Sequence, residues 1–190
     1  SLGVNTLQEL ITLAKSKPGT LNYGSSGIGS THHLCHETMN IALGLDIRHV
    51  PFRGTAQSIP ALVGGQVQLV FSAMPSLAGF VKGGQLKLLA VNSAQRSPLA
   101  PHLPAVGEIV AGFDFSPTIG LFADKNTPSA IVNRISAELA LVAKMPDMIT
   151  VMNNGGMDPV GSTPGDYAKS IASENERFAK AITAAGIKPE

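Results

Sequence analysis

A unit that recurs three times in the first half of the chain limits the possible folds most. Each copy is a short apolar run, a turn rich in Gly, Ser or Thr, and an amphipathic run closed by glycine. Residues 21–24 form the first strand, 24–30 the loop, and 31–43 a helix stopped by Gly44. Residues 47–51, 52–55 and 56–63 repeat the order before Gly64-Gly65, and 67–71 and 75–82 repeat it before Gly83-Gly84. A further apolar run, 86–92, is broken only by Lys87, the pattern of a strand covered on both faces of a parallel sheet. Strands alternating with helices of this length define an α/β, doubly wound sheet.

The flanking segments read differently. Thr6-Leu7-Gln8-Glu9 is a capping box that opens a helix carrying Leu7, Leu10, Ile11 and Ala14 on one face. Three prolines in 97–104 interrupt the alternation, a short helix follows near 105–110, and 116–123 is expected as a strand. Beyond it the chain is mostly helical: 129–143, 146–153, and 164–185 with Thr163 as its cap and Pro164 at the first position. The expected boundary lies near Ser116, dividing 1–116 from 117–190.

Composition excludes several classes. The 190 residues are 44% hydrophobic and 14% charged, and the apolar stretches 86–91 and 131–143 fall short of the ~20 residues a membrane span needs. A formal net charge of +1, with no basic stripe, no Trp and two Tyr, argues against nucleic acid as a partner. The single cysteine, Cys35, excludes an internal disulfide. No signal peptide is visible, and the sequence opens on Ser, as a processed or trimmed chain would.

Chemistry concentrates at the turns that follow the strands. The loop Gly24-Ser25-Ser26-Gly27-Ile28-Gly29-Ser30 ends a strand and opens a helix, where backbone N–H groups and a partial positive charge favour an anion. Ser26, Ser30 and Thr31 add hydroxyl donors; the bland reading is a flexible turn with Ser30 capping. Gly-Lys-Ser/Thr is absent, so this is no Walker loop. Arg53, Gly54, Thr55 and Ala56 occupy the same place after the second strand, and Ser72-Ala73 after the third. Ligands of open α/β sheets bind at these strand ends.

His32 and His36, four apart on one helical face, have metal-ligand spacing, but Cys35 lies on another face and no second ligand cluster exists. The plainer reading is a helix start with one ligand-side His, exposed neighbours and a buried thiol. A Cys35–His nucleophile pair lacks support, Glu37 and Asp46 read as solvent-facing, and no paired-acid set is visible, so no catalytic residues, metal or cofactor are assigned.

The segment 18–34, containing Tyr23-Gly24-Ser25-Ser26-Gly27-Ile28-Gly29-Ser30-Thr31-His32-His33, resembles the first signature of the Bug-type receptors of tripartite tricarboxylate transporters. His49-Val50-Pro51-Phe52-Arg53-Gly54-Thr55-Ala56-Gln57-Ser58 resembles the second signature, and Leu62-Val63-Gly64-Gly65-Gln66-Val67 through Phe71 the third. Leu88-Leu89-Ala90-Val91-Asn92-Ser93 with Arg96-Ser97, Leu103-Pro104-Ala105-Val106, Gly120-Leu121-Phe122-Ala123 and Pro159-Val160-Gly161-Ser162-Thr163-Pro164 keep the family's order.

The resemblance implies a type II periplasmic-binding-protein fold: a two-lobed Venus flytrap receptor, periplasmic and not an enzyme, closing on a di- or tricarboxylate, amino acid or aromatic acid for the membrane components of its transporter. It places ligand contacts at Ser26, Gly27, Ser30, Thr31 and His32, at Arg53, Gly54, Thr55 and Ala56, and at Ser72 and Ala73, where family members often carry an acidic residue in place of Ser72. It also implies truncation at the N-terminus, with 1–116 as the second lobe and 117–190 completing the first and returning by a long helix. Half a cleft then binds weakly, and uncovered apolar faces on 131–143 and 149–152 drive self-association. The alternatives are an effector-sensing domain of a regulator, which needs a DNA-binding helix-turn-helix, and a small metal-dependent enzyme built on His32 and His36.

Overall fold

The computed structural model describes residues 2–188. The chain divides into two compact units, one running to Ser116 and resuming at Phe178, the other comprising Pro117–Arg177.

The first unit opens with α1 (Leu7–Ser16), whose Leu7, Leu10, Ile11 and Ala14 are all buried. Thr6 Oγ1 accepts from the Glu9 N–H at 3.1 Å, while the Glu9 carboxylate takes the N–H of Asn5 rather than that of Thr6. The box therefore closes one residue early. Next come β1 (Leu21–Ser25), α2 (Thr31–Leu43), β2 (Ile47–Pro51), α3 (Thr55–Val63), β3 (Leu69–Val70) and α4 (Met74–Lys82). The three strands form a parallel sheet in the order β2-β1-β3. Leu21 pairs with Ile47 and Ser25 with Pro51 on one side, and Tyr23 pairs with Leu69 on the other.

This order carries a functional consequence. The chain leaves β1 toward one side of the sheet and returns, after β2, to the other, so β1 and β3 flank a topological switch point. All three strands run in the same direction, so the loops after them share one edge of the sheet. Gly24 permits the close spacing at this edge: a Cβ there would meet Phe52, Val67 and Val70 side-chain carbons at 3.2–3.3 Å.

The core joins α1, β1 and α2 to Val106, Val110, Phe113 and Phe115, and Phe178 and Ile182 of α7 (Pro164–Ala184) pack against it. An aromatic chain runs through it, with Phe71–Phe113 at 6.5 Å, Phe113–Phe115 at 4.9 Å and Phe115–Phe178 at 5.6 Å between ring centroids.

Two expected strands do not form among the described residues. In 86–92 the only pairing is an isolated parallel bridge between Val91 and Ala105. Residues 116–123 carry no strand, and Ile119, Leu121 and Phe122 are exposed. Both segments have the apolar pattern of strands, but a ladder needs a second backbone along its length, and 86–92 meets one only at its end, where Val91 N–H donates to Pro104 O and Val91 O accepts from Val106 N–H. β3 has two residues, Leu69 and Val70, paired with Tyr23 and Gly24.

The second unit holds α5 (Ser129–Val142), α6 (Pro146–Asn154) and the start of α7. Gly161 lies close against α5, where a Cβ would stand 3.1 Å from Ala140 Cα. Tyr167 packs on Phe122 at 5.7 Å and crosses the face of Gly120. Neither α5 nor α6 buries a single residue.

Candidate functional site

Two of the three loops at the sheet edge are held to one another by backbone. Phe52 N–H donates to Ser25 O and Gly54 N–H to Ser26 O, each at 3.2 Å, so the β2–α3 loop is tied along the β1–α2 loop. Gly54 sits at φ 98° and ψ 170°, a conformation closed to most side chains. Gly27 stands at φ 135°, likewise a conformation that favours glycine.

Ser30 caps α2: its hydroxyl accepts from His33 N–H at 3.3 Å and donates to Gly27 O at 2.7 Å. Ser26 Oγ lies 2.8 Å from His32 Nδ1. The N–H groups of Thr31 and His32, at the tip of α2, meet no acceptor, and neither do those of Thr55 and Ala56 at the tip of α3. The α3 cap, Gly54, has no side chain to offer. Two helix N-termini thus present unmet donors on loops that are tied together, a seat for an anionic oxygen. Arg53 is exposed on the same loop. On the β3 side Ser72 Oγ is buried with no hydrogen-bond partner, and Ala73 is exposed at the start of α4.

The expected site residues therefore gather at one sheet edge: Ser26, Gly27, Ser30, Thr31 and His32 after β1, Arg53, Gly54, Thr55 and Ala56 after β2, and Ser72 and Ala73 after β3. The hydroxyls of Ser26 and Ser30 are already engaged within the chain, so the open donors are mainly backbone.

Behind the loops stands a layer that sequence reasoning missed. His33 Nδ1 accepts the N–H of Gly29 at 3.0 Å, and Ser25 Oγ lies 2.6 Å from His49 Nε2. His33 stacks on His49 with centroids 3.9 Å apart, and Tyr23 stacks on His49 at 4.9 Å and on His36 at 4.0 Å. The expected exposed neighbours are instead buried: His33 and His36 face the core because Tyr23 and Phe71 close over this face of α2. Burial lowers the pKa of His33 and His36 and pushes His49 down to about 4. Glu37, expected to face solvent, accepts the Tyr23 hydroxyl at 2.5 Å. The burial that this contact accompanies raises Tyr23, with Glu37 adding to it. The only sequence signal for this layer was the density of ring residues at 32–36 and 49.

Cys35 is buried, and desolvation pushes its thiol up to about 12. Among the described residues no three His, Cys, Asp or Glu side chains are placed to hold a metal ion. His32 and His36 diverge, one to Ser26 and the other into the aromatic layer.

A parallel sheet with anion-accepting loops at its switch point defines a small-molecule binding unit of the open α/β class. The chain belongs to the tripartite tricarboxylate transporter receptor family, whose sequence profile matches residues 1–187. A UPF0065 protein of Bordetella pertussis is 31% identical over 98% of this chain and 58% of its own length. A solved R. palustris protein with adipate is 31% identical, with a TM-score of 0.83 over 100% of this chain and 64% of that one. MatC from Rhodopseudomonas palustris, solved with bound malate, is 25% identical, with a TM-score of 0.67 over 97% and 63%. The chain thus spans about half the length of the curated relatives it matches. The family is one of substrate-binding receptors rather than enzymes, and a solved member, BugD, is described as a periplasmic binding protein. No helix among the described residues is long and apolar enough to cross a membrane.

Proposed function

We propose that this chain is the ligand-binding part of a periplasmic receptor that captures a small carboxylate and presents it to the membrane components of a tripartite transporter. The observation that carries this reading is the pair of helix N-termini, Thr31–His32 and Thr55–Ala56, whose loops are tied side by side at the C-terminal edge of the sheet, beside the switch point. A carboxylate has two oxygens and several lone pairs, so it can accept from both pairs of N–H groups at once. Exposed Arg53 adds positive charge at the mouth.

Ser26, Gly27, Ser30, Thr31, His32, Gly54, Thr55 and Ala56 form this seat, with Ser72 and Ala73 at its far side. The residues up to Ser116 act as one lobe of a two-lobed receptor. Residues from Pro117 complete the other lobe and return by α7. The resemblance to proteins solved with adipate and with malate supports a dicarboxylate. No chemical step is assigned. The Cys35 thiol is buried and held protonated.

A thermal-shift screen tests this reading. A ligand at about 100 times its dissociation constant stabilises by about 2.7 kcal/mol. A shift confined to one group among dicarboxylates, tricarboxylates, amino acids and aromatic acids at millimolar concentration is the expected result. No shift across the panel would count against carboxylate capture by this chain.

A further inference from the structure

The rim loops 24–30, 52–56 and 71–73 contain no Asp or Glu. Their serines are not equivalent. Ser25 meets His49, Ser26 meets His32, and Ser30 caps α2, so each hydroxyl is occupied. Ser72 alone among them has a buried hydroxyl with no partner, although it sits in the loop after β3, the strand that flanks the switch point with β1. Burying a hydroxyl without a partner is unfavourable, and most buried polar groups in native proteins are paired by protein, water or a bound ligand. The rim would need a carboxylate to accept a ligand's ammonium, because an ammonium removed from water must be paired. A neutral hydroxyl can instead donate to an oxygen.

On the reading of this site as a carboxylate seat, we propose that Ser72 is its specificity-determining residue. Its hydroxyl donates to a ligand oxygen and selects dicarboxylates over the amino acids of matching skeleton. The helix N-termini of α2 and α3 hold one carboxylate, and the β3 end of the site reads the next polar group as an oxygen acceptor.

Isothermal titration with matched pairs tests this: adipate against 2-aminoadipate, glutarate against glutamate, and succinate against aspartate. The unaltered chain binds the dicarboxylate of its preferred pair at least tenfold more tightly. Ser72→Ala weakens that dicarboxylate by roughly tenfold or more, the worth of a hydrogen bond to a charged group. The unliganded melting temperature of this variant stays level or rises, since an unmet buried hydroxyl is gone; a purely structural serine would lower it. Ser72→Thr keeps the hydroxyl and retains the preference. Ser72→Asp weakens the dicarboxylate and shifts the ratio toward the amino acid. Equal affinity of Ser72→Ala and the unaltered chain for the preferred dicarboxylate would overturn the proposal while leaving the carboxylate seat intact. A chain that binds none of the six compounds overturns both.

Discussion

Gly54 holds the β2–α3 loop at φ 98° while its N–H reaches Ser26 O. Nothing crowds a Cβ at this position, so Gly54→Ala acts through the backbone alone. We expect a loss of about 1–3 kcal/mol from the strained φ, read by urea denaturation, and weaker carboxylate binding as the Thr55 and Ala56 donors turn away. Unchanged stability would mean that the loop relaxes to another conformation. The histidines give a second expectation at this scale. His36 is 2% exposed and both its ring nitrogens lack partners, and His33 uses Nδ1 as an acceptor, so both rings are neutral in the fold. Their folded pKa values lie below the ordinary 6.5, with His49 at about 4. Between about pH 6.5 and pH 4 the unfolded chain therefore binds more protons than the folded one. Stability is full above that window and falls as pH drops through it. Melts from pH 7.5 to pH 4 should show a decline of several degrees, made shallower by His36→Phe, which keeps the stack but cannot take a proton. A flat profile would show that these rings stay solvated. Such residues also mark where sequence reading stopped. Ser30, Gly54 and Thr55 were legible because caps and tight turns are local in sequence. His33–His49 and Tyr23–His36 were not, because each pair meets only after β1, α2 and β2 have packed.

Elements were legible to the extent that their ends were signalled in the chain. α2 runs from Thr31 to Leu43 as expected because Ser30 caps it and Gly44, at φ 62°, stops it. Segments 86–92 and 116–123 have equally clear apolar patterns, yet a strand is a property of two backbones, and pattern alone does not supply the second. Burial likewise separates positions by energy. Phe113 is 1% exposed and touches Phe71 and Phe115, so Phe113→Ala should cost about 3–5 kcal/mol through lost transfer and a cavity. Leu141, on α5, is 63% exposed, and Leu141→Ala should stay within about 0.5 kcal/mol. Paired urea denaturations check both. A large effect at Leu141 would show that α5 is covered in solution by something beyond its own unit.

That outcome leads to the whole molecule. In the second unit Ile119, Leu121, Phe122, Val151 and Val160 are each 66% exposed or more, and Ile131, Ile135, Leu139 and Leu141 are exposed along α5. Single exposed apolar side chains are ordinary, but a run of this many on one small unit is a binding face or an aggregation hazard. The net charge of +1 gives little repulsion between copies to oppose association. In a pure sample the partner available to these side chains is a second copy of the chain. Light scattering at micromolar concentration should therefore report a dimer or larger species. Phe122→Glu together with Leu141→Glu should return it to monomer without lowering the stability of the first unit, whose core contains neither residue. A strict monomer before substitution would show that these side chains remain in water. Self-association that persists in the double variant would place the interface elsewhere. If the dimer forms through this face, ligand added at saturation should leave its dissociation constant nearly unchanged, because the carboxylate seat lies in the other unit. A strong ligand dependence would mean that binding and association are coupled.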